Sequence, residues 1–203
     1  MSLPVAILLA GGLARRMGGG DKALRPLAGR ALLDHVIARI GPQVTAMALN
    51  ANGDPGRFVA WGLPVVADTI ADHPGPLAGI LAGLRWAQRD HPAATMVLSV
   101  PTDTPFLPDD LVVRLEAARV AAGVPLSCAA SLGWSHPVIG LWPVALADAL
   151  EAALRGGVRK IDAWTAIYGV AHADFPGMPD PFFNANTPEE LAEAERLFAQ
   201  SVG

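Results

Sequence analysis

Short apolar runs alternate with amphipathic segments along the first 122 residues of the chain. Residues 5–10 form an unbroken apolar run that stops at two glycines, which is typical of a strand buried on both faces of a sheet. Similar runs and helical apolar spacings predict strands at 44–50, 63–67 and 95–100 and helices at 30–40, 55–61, 77–89 and 108–122. This alternation predicts an α/β fold with a mostly parallel, doubly wound sheet.

The remaining residues follow a less regular pattern. They predict strands at 126–130, 138–142 and 171–175 and helices at 145–155, 160–168 and 188–200. Thr187 precedes the last helix as a good N-cap, and Glu189 and Glu190 suit its positively polarised first turn. Because we find no internal repeat and no linker that separates two units, we expect one three-layer α/β/α domain over residues 1–203.

Composition and charge narrow the class of protein. The chain is 52% hydrophobic and 17% charged, as globular chains are, and its net charge of −4 argues against a general nucleic-acid binder. The single cysteine, Cys128, allows no intrachain disulfide, which fits the cytosol. The apolar run at 5–10 is too short for a signal peptide or a membrane helix. We therefore expect a cytoplasmic protein with no membrane or nucleic-acid partner.

A glycine-rich loop with three cations follows the first strand. Residues 9–22 read LAGGLARRMGGGDK and contain five glycines together with Arg15, Arg16 and Lys22. Glycine lets backbone amides approach a phosphate closely, and the cations balance its charge, so the loop predicts a triphosphate site. The loop is not GxxxxGK[ST], because Ala23 follows the lysine, and it is not GxGxxG either. The alternative is a flexible turn that carries surface cations.

Polar residues also follow three later strands. Asn50, Asp68 and Asp103 each stand just past an apolar run. Because the carboxyl ends of parallel strands share one edge of a sheet, we expect these side chains to converge with the loop at 9–22. Asp103 lies between Pro-Thr and Thr-Pro, where its carboxylate is well placed to bind Mg²⁺. The alternative for each is a turn residue, which at Asp103 would cap the next helix.

Four segments together carry a family resemblance: LAGGLARRMGGGDK, DHPGPLAGI, PTDTP and NANTPEEL. From residue 5 to residue 197 the chain resembles the molybdenum cofactor guanylyltransferase family, and the second and fourth segments are the most specific. The resemblance implies a glycosyltransferase-A-like, Rossmann-type nucleotidyltransferase fold, with residues 1–122 binding the nucleotide and 123–203 the acceptor. The implied reaction passes GMP from GTP to molybdenum-loaded molybdopterin and releases pyrophosphate, with Mg²⁺ or Mn²⁺ as the cofactor.

The resemblance also assigns roles in the first half of the chain. The implied catalytic residues are Arg16, Lys22 and Asp103, with Asp103 as the metal ligand. The implied nucleotide-binding residues are Leu9, Ala10, Gly11, Gly12, Lys22, Asn50, Asp68, Gly79 and Asp103, beside Pro76 and Leu77. The attacking phosphate is already a nucleophile, so the reaction requires charge neutralisation more than a strong base. We therefore expect Lys22→Ala or Asp103→Ala to abolish nearly all turnover and to leave the fold intact.

The resemblance places the acceptor in the second half. The implied acceptor-binding residues are His136, Arg159, Lys160, Asn184 and Asn186. Asparagine can pair with the amide-like edge of a pterin, and cations suit its phosphate. The alternatives are a strand-end residue at 136, a solvated helix start at 159–160 and turn residues at 184 and 186. Several related nucleotidyltransferases have a second acidic metal ligand near this segment; the asparagines here leave Asp103 as the protein carboxylate for the metal.

Three other functions fit parts of the sequence. A CTP-dependent enzyme would make the cytosine form of the cofactor, although DHPGPLAGI and NANTPEEL favour GTP. A sugar-1-phosphate nucleotidyltransferase would require a longer second half. A non-catalytic carrier would pass the pterin cofactor to apo-enzymes, and it would not need Lys22 and Asp103. As partners we expect GTP and molybdopterin, with transient contacts to cofactor-biosynthesis proteins and molybdoenzyme chaperones.

Overall fold

The computed structural model describes residues 3–11, 21–70 and 75–201. Its strands are β1 (Val5–Leu9), β2 (Pro26–Leu27), β3 (Arg30–Ala31), β4 (Met47–Asn50), β5 (Val65–Val66), β6 (Met96–Pro101), β7 (Leu126–Ser131), β8 (Trp134–Pro143) and β9 (Val170–Asp174). Its α-helices are α1 (Leu32–Ile40), α2 (Pro76–Asp90), α3 (Leu111–Ala122), α4 (Ala147–Arg155), α5 (Ile161–Thr165) and α6 (Pro188–Ser201). Short 3₁₀ helices lie at Lys22–Leu24, Gly41–Gln43, Pro55–Trp61 and Val144–Leu146.

Seven strands form one sheet in the order β5-β4-β1-β6-β8-β7-β9. Each neighbouring pair is parallel except those made by β8, which runs antiparallel to both β6 and β7. The carboxyl ends of β1, β4, β5, β6, β7 and β9 therefore lie at one edge, which we call the carboxyl edge. The expectation of an α/β fold with a mostly parallel, doubly wound sheet is confirmed.

Helices cover both faces of this sheet, and β1 shows why its residues are all apolar. Ala6 and Leu8 belong to a core shared with α1 and α3, whereas Val5 and Ile7 belong to a second core shared with α2, α4 and α5. Successive side chains of a strand point to opposite faces, so a central strand needs apolar residues at every position. The result is a three-layer α/β/α arrangement.

The structure departs from several predicted elements. β4 begins at Met47 and not at residue 44, α3 begins at Leu111 and not at residue 108, and α5 ends at Thr165 and not at residue 168. Residues 30–31 form β3 of a small hairpin with β2, so α1 begins at Leu32 and not at residue 30. Ala28 and Gly29, with φ of 47° and 76°, make the two-residue turn of this hairpin. The strand expected at 138–142 also begins earlier, because β8 includes residues 134–137.

The last helix begins as its sequence predicts. The Thr187 hydroxyl accepts a hydrogen bond from the Glu190 backbone N–H at 3.2 Å, and the Glu190 carboxylate accepts from the Thr187 N–H at 3.0 Å. These two bonds form a capping box, which satisfies N–H groups that a helix start leaves unpaired. Helix α6 packs on the hairpin through a small core that contains Leu27 and Ala194. None of the helices in the described part of the chain is long and apolar enough to cross a membrane.

Candidate active site

A cleft of about 350 Å³ opens at the carboxyl edge between β1, β4 and the start of α2, and we call it the strand-end cleft. Its lining residues are Leu9, Gly11, Asn50, Asn52, Asp68, Gly75, Pro76 and Val138. The volume lies within the range of about 300–1,000 Å³ that is usual for small-molecule sites. The cleft therefore confirms that Gly11, Asn50 and Asp68 converge at one edge of the sheet.

The polar wall of this cleft is a hydrogen-bonded network around Asp68. The Asn50 side-chain amide donates to Asp68 Oδ1 at 2.9 Å and to the Val66 carbonyl at 3.2 Å. The Asn52 amide donates to Asp68 Oδ2 at 2.8 Å, and its oxygen accepts from the Asp68 backbone N–H at 2.9 Å. Both carboxylate oxygens of Asp68 are thus held in place by asparagine side chains. A role for Asn52 in the cleft was not predicted from the sequence. The signal was its spacing from Asn50, because residues two positions apart in an extended segment point to the same side.

Helix α2 begins at the cleft. Gly75 precedes it with φ of 145°, a conformation that side chains disfavour, and Pro76 is its first residue. The positive end of the helix dipole therefore faces the cleft and favours an anionic ligand there.

Three residues assigned to the nucleotide by resemblance lie behind the cleft. Ala10 is buried, and its N–H donates to the Asn50 carbonyl at 2.9 Å. Leu77 is buried in the core beneath α2. A Cβ atom on Gly79 would lie 2.3 Å from Asn50 Oδ1, so glycine at this position lets the helix approach the Asn50 amide. These residues shape the cleft from below.

A second polar group at the carboxyl edge unites residues from three distant segments, and we call it the Lys22 cluster. The Lys22 ammonium makes short contacts with Asp103 Oδ2 and with Asn186 Oδ1. Both charged side chains are largely shielded, with 11% of Lys22 and 18% of Asp103 exposed. Asp103 follows β6, whereas Asn186 precedes α6, so the fold brings together residues that lie 83 positions apart.

Two hydrogen bonds join the PTDTP and NAN segments. The Ala185 N–H donates to the Asp103 carbonyl at 3.0 Å. The Thr104 hydroxyl, which is fully buried, donates to Asn184 Oδ1 at 2.9 Å. The backbone of Asn186, the next residue but one after Asn184, is also held in place, because its N–H donates to the Glu190 carboxylate at 2.7 Å. Thr104 was not predicted as a site residue; its place between Asp103 and a proline was the only signal in the sequence.

The position of Lys22 is fixed by its neighbours in the chain. Asp21 accepts a hydrogen bond from the Arg57 guanidinium at 2.5 Å, and only 9% of its side chain is exposed. The same Arg57 group also donates to the Asn52 carbonyl at 2.6 Å. Ala23 is buried in the core, so the residue after Lys22 is a packing residue and not a hydroxyl ligand. Arg57 therefore links the strand-end cleft to the Lys22 cluster, a role that the sequence did not indicate.

The side-chain oxygens of the Lys22 cluster are suitable ligands for a divalent cation. A carboxylate oxygen of Asp103 and an amide oxygen of Asn186 converge on one positive charge, and Mg²⁺ prefers oxygen ligands of this type. Within residues 3–11, 21–70 and 75–201, no group of three His, Cys, Asp or Glu residues has a geometry that suits a metal. A metal at Asp103 would therefore complete its shell with phosphate and water oxygens.

Comparison with known proteins identifies the family. The family described as the MobA-like NTP transferase domain matches residues 6–173. The molybdenum cofactor guanylyltransferase of Bradyrhizobium sp. (strain ORS 278) is 59% identical over 195 residues, which cover 95% of this chain and 92% of that protein. The protein of the same name from Rhodopseudomonas palustris (strain BisB5) is 57% identical over 194 residues, with the same two coverages. The chain belongs to the molybdenum cofactor guanylyltransferase family.

A solved structure agrees at the level of the fold. The crystal structure of molybdopterin-guanine dinucleotide biosynthesis protein A from Archaeoglobus fulgidus superposes with a TM-score of 0.74. It is 24% identical and covers 97% of this chain and 99% of its own. The nucleotidyltransferase fold expected from the family is therefore confirmed.

Of the family's implied acceptor residues, His136 belongs to a partly buried chain of hydrogen bonds with Ser131 and Asp180. The Ser131 hydroxyl donates to Asp180 Oδ1 at 2.8 Å, so its oxygen accepts the 2.7 Å bond from the N–H at His136 Nε2. The imidazole also packs on Phe182, with 4.8 Å between the ring centroids. Burial lowers the pKa of His136, and the nearby Asp180 charge offsets this only in part. A neutral His136 therefore keeps Nδ1 as a hydrogen-bond acceptor.

Arg159 and Lys160, the two cations among the implied acceptor residues, lie in the loop between α4 and α5. Both side chains are exposed, and Arg159 Nη1 donates to the Leu154 and Val158 carbonyls at 3.0 and 2.9 Å. Lys160 directly precedes α5. Two further implied family residues, Gly12 and Arg16, lie outside the described residues, as does Arg15.

Proposed function

We propose that this protein transfers GMP from GTP to molybdenum-bound molybdopterin, which forms the guanine dinucleotide cofactor and releases pyrophosphate. The observation that carries this proposal is the Lys22 cluster, which stands beside the strand-end cleft in a member of the guanylyltransferase family. We assign nucleotide binding to residues 1–122 and acceptor binding to residues 123–203, both within one domain. The donor site is then the cleft, and the reaction takes place where the cleft meets the cluster.

Each part of the donor site has a distinct task. Asn50 and Asp68 bind the nucleoside in the cleft, and Leu9 and Gly11 form its floor. The start of α2 favours the phosphates through its positive end. The Lys22 ammonium leaves the Asp103 carboxylate and pairs with the triphosphate. We assign Arg16 to the triphosphate as well.

The chemistry follows from charge. A phosphate oxygen of molybdopterin attacks the α-phosphorus of GTP, and the bond to the bridging oxygen breaks as pyrophosphate leaves with that electron pair. The nucleophile is already anionic, so no strong base is required, and the barrier comes from the repulsion between anions. Asp103 and Asn186 would hold Mg²⁺, which neutralises charge on the phosphates when bound. Lys22 adds a positive charge that stabilises the pyrophosphate as it leaves.

The proposal is tested by pyrophosphate release. We expect release from GTP in the presence of molybdopterin, and little from CTP under the same conditions. Release from CTP alone would overturn the assignment of the base and would favour the cytosine cofactor. Release from neither nucleotide would favour a carrier that binds the pterin without catalysis.

Single substitutions test the proposed roles of Lys22 and Asp103. We expect Lys22→Ala and Asp103→Ala each to lower kcat by at least about 100-fold, the usual scale for removing one group that stabilises developing charge. The control is Asp109→Ala, since Asp109 is 75% exposed and pairs with Arg39 away from the cluster. Circular dichroism of each variant checks the fold. An Asp103→Ala enzyme that kept most of its activity with Mg²⁺ would remove the metal assignment.

A further inference from the structure

A second cavity of about 200 Å³ lies between α5 and the strands β7, β8 and β9, and we call it the α5 cavity. Its apolar walls include Pro137 and Trp142, and its polar lining includes Cys128, Asp162, Thr165 and His172. The volume is below the range of about 300–1,000 Å³ usual for whole ligands, so it suits one ring system and not a dinucleotide.

The α5 cavity is next to the strand-end cleft. Val138 of β8 lines the cleft, and its chain neighbour Pro137 lines the cavity. Both spaces lie on the sheet face that packs against α2, α4 and α5, because Val138 and Trp142 belong to that core. A ligand in the cavity and a nucleotide in the cleft would therefore flank the start of β8.

The loop before α5 places cations toward the carboxyl edge. β8 runs antiparallel to β6, so it ends at the edge of the sheet opposite the carboxyl edge, and α4 begins there. The chain returns to that same edge after α5, because β9 is parallel to β7 and starts there. The α4–α5 loop therefore lies toward the carboxyl edge. It carries the exposed cations Arg159 and Lys160, immediately before the residues of α5 that line the cavity.

The polar groups of the cavity include an acceptor and a donor. Burial, and then the charge of Asp162, raise the pKa of the Cys128 thiol to about 11, so the sulfur keeps its proton at neutral pH. The protonated thiol lies 3.5 Å from His172 Nδ1 and is a donor in the lining of the cavity. Asp162 is an exposed residue in the first turn of α5, and its carboxylate is an acceptor.

We propose that the α5 cavity holds the pterin ring of the acceptor and that Asp162 recognises its 2-amino-4-oxo edge. This edge presents a ring N–H and an amino N–H side by side, which match the two oxygens of a carboxylate in parallel hydrogen bonds. Pro137 and Trp142 face the flat ring, and the exposed cations of the α4–α5 loop lie toward its phosphate. The inference rests on the proposed function, since that function supplies the pterin.

A direct binding measurement tests the ring site without turnover. We expect the full-length protein to quench the fluorescence of 6-hydroxymethylpterin on binding, and Asp162→Asn to weaken this binding at least about 10-fold, the loss of roughly one good hydrogen bond to a charge. Asp148→Asn is the matched control, because Asp148 of α4 is 86% exposed and pairs with Arg85 of α2. Absence of binding to the wild-type protein, or equal binding by the Asp162 variant, would overturn the proposal.

Steady-state kinetics separate this proposal from the proposed function. We expect Asp162→Asn to raise KM for molybdopterin at least about 10-fold and to leave KM for GTP unchanged. A rise in KM for GTP instead would mean that the cavity takes guanine, which has the same edge, and would overturn the assignment. If the wild-type protein releases no pyrophosphate at all, the proposed function fails, and the pterin-binding measurement alone decides the ring site.

A second variant guards against a folding defect in α5. Ala166 also lines the cavity and follows the helix at an exposed position, so Ala166→Leu fills the space without removing a charge. We expect it to weaken pterin binding at least about 10-fold. Normal pterin binding by a folded Ala166→Leu protein would contradict the placement of the ring.

Discussion

At the residue scale, the cleft depends on a position that has no side chain. A Cβ atom at Gly79 would meet Asn50 Oδ1 at 2.3 Å and Leu9 Cδ2 at 2.7 Å, and real contacts are not that short. We expect Gly79→Ala to displace the Asn50 amide from Asp68 and to cost about 1–3 kcal/mol of stability through overpacking. Urea unfolding and KM for GTP measure the two effects.

The control for this substitution is Gly41→Ala. Its backbone is helical, with φ of −49°, and the added Cβ would meet only Met47 Cε at an ordinary 3.7 Å. We expect no loss of stability and an unchanged KM for GTP. A Gly79→Ala protein with the same two values as Gly41→Ala would show that helix α2 need not approach Asn50 so closely.

The sequence predicted the positions of some candidate site residues and missed those of others for a physical reason. Asn50, Asp68 and Asp103 were placed correctly at one edge, because each follows a strand and parallel strands share their carboxyl edge. The contact of Lys22 with Asn186 spans 164 positions and depends on how α6 docks. Periodicity carries no information about such a contact, so neither this pair nor the role of Arg57 was predictable.

At the scale of elements, the start of α6 positions part of the site. The Glu190 carboxylate accepts from the N–H groups of both Thr187 and Asn186, so the capping box also fixes the backbone beside the Lys22 cluster. We expect Thr187→Ala to lower the free energy of unfolding by about 0.5–2 kcal/mol, the usual cost of losing an N-cap. Urea denaturation measures this loss.

A threonine outside the helices provides the comparison for the cap. The Thr45 hydroxyl donates to the Pro4 carbonyl at 3.3 Å and lies in an exposed position before β4. We expect Thr45→Ala to change stability by no more than about 0.5 kcal/mol. Equal losses in the two variants would show that the capping box contributes nothing specific to α6.

The predicted elements were most accurate where the apolar pattern was strong. β1 and α2 lie within one residue of their expected bounds, because the apolar run of β1 stops at two glycines and the apolar residues of α2 recur at helical spacing. The β2–β3 hairpin was missed, since strands of two residues are too short to show alternation. The antiparallel direction of β8 was not predicted either, because apolar alternation gives no strand direction.

At the scale of the whole molecule, protonation of His136 links the second half of the chain to stability. Burial lowers the pKa of His136 in the folded protein, whereas the unfolded value is about 6.5. At a pH between these two values, the unfolded chain binds more protons than the folded protein does. The free energy of unfolding must therefore fall as the pH drops through that window. We expect His136→Gln to show a smaller fall between pH 7.5 and pH 5.5 in urea titrations. An identical pH dependence in both proteins would contradict the lowered pKa of His136.

In the described part of the chain, the strand-end cleft and the α5 cavity share one face of the seven-stranded sheet. The strand-end cleft and the α5 cavity lie on either side of the start of β8, and the Lys22 cluster lies at the same edge. A donor and an acceptor bound in this way would bring two phosphates together, which requires the cations that the site provides.

The most direct test of this account follows the phosphates of GTP separately. The protein is incubated with molybdopterin and Mg²⁺ and with GTP that is radiolabelled on either the α- or the γ-phosphate, and the pterin product is isolated. We predict that the α-label enters the pterin product and that the γ-label leaves as pyrophosphate. A γ-label in the pterin product would mean phosphoryl transfer, and no label in it from either GTP would mean no transfer; both results would contradict the account.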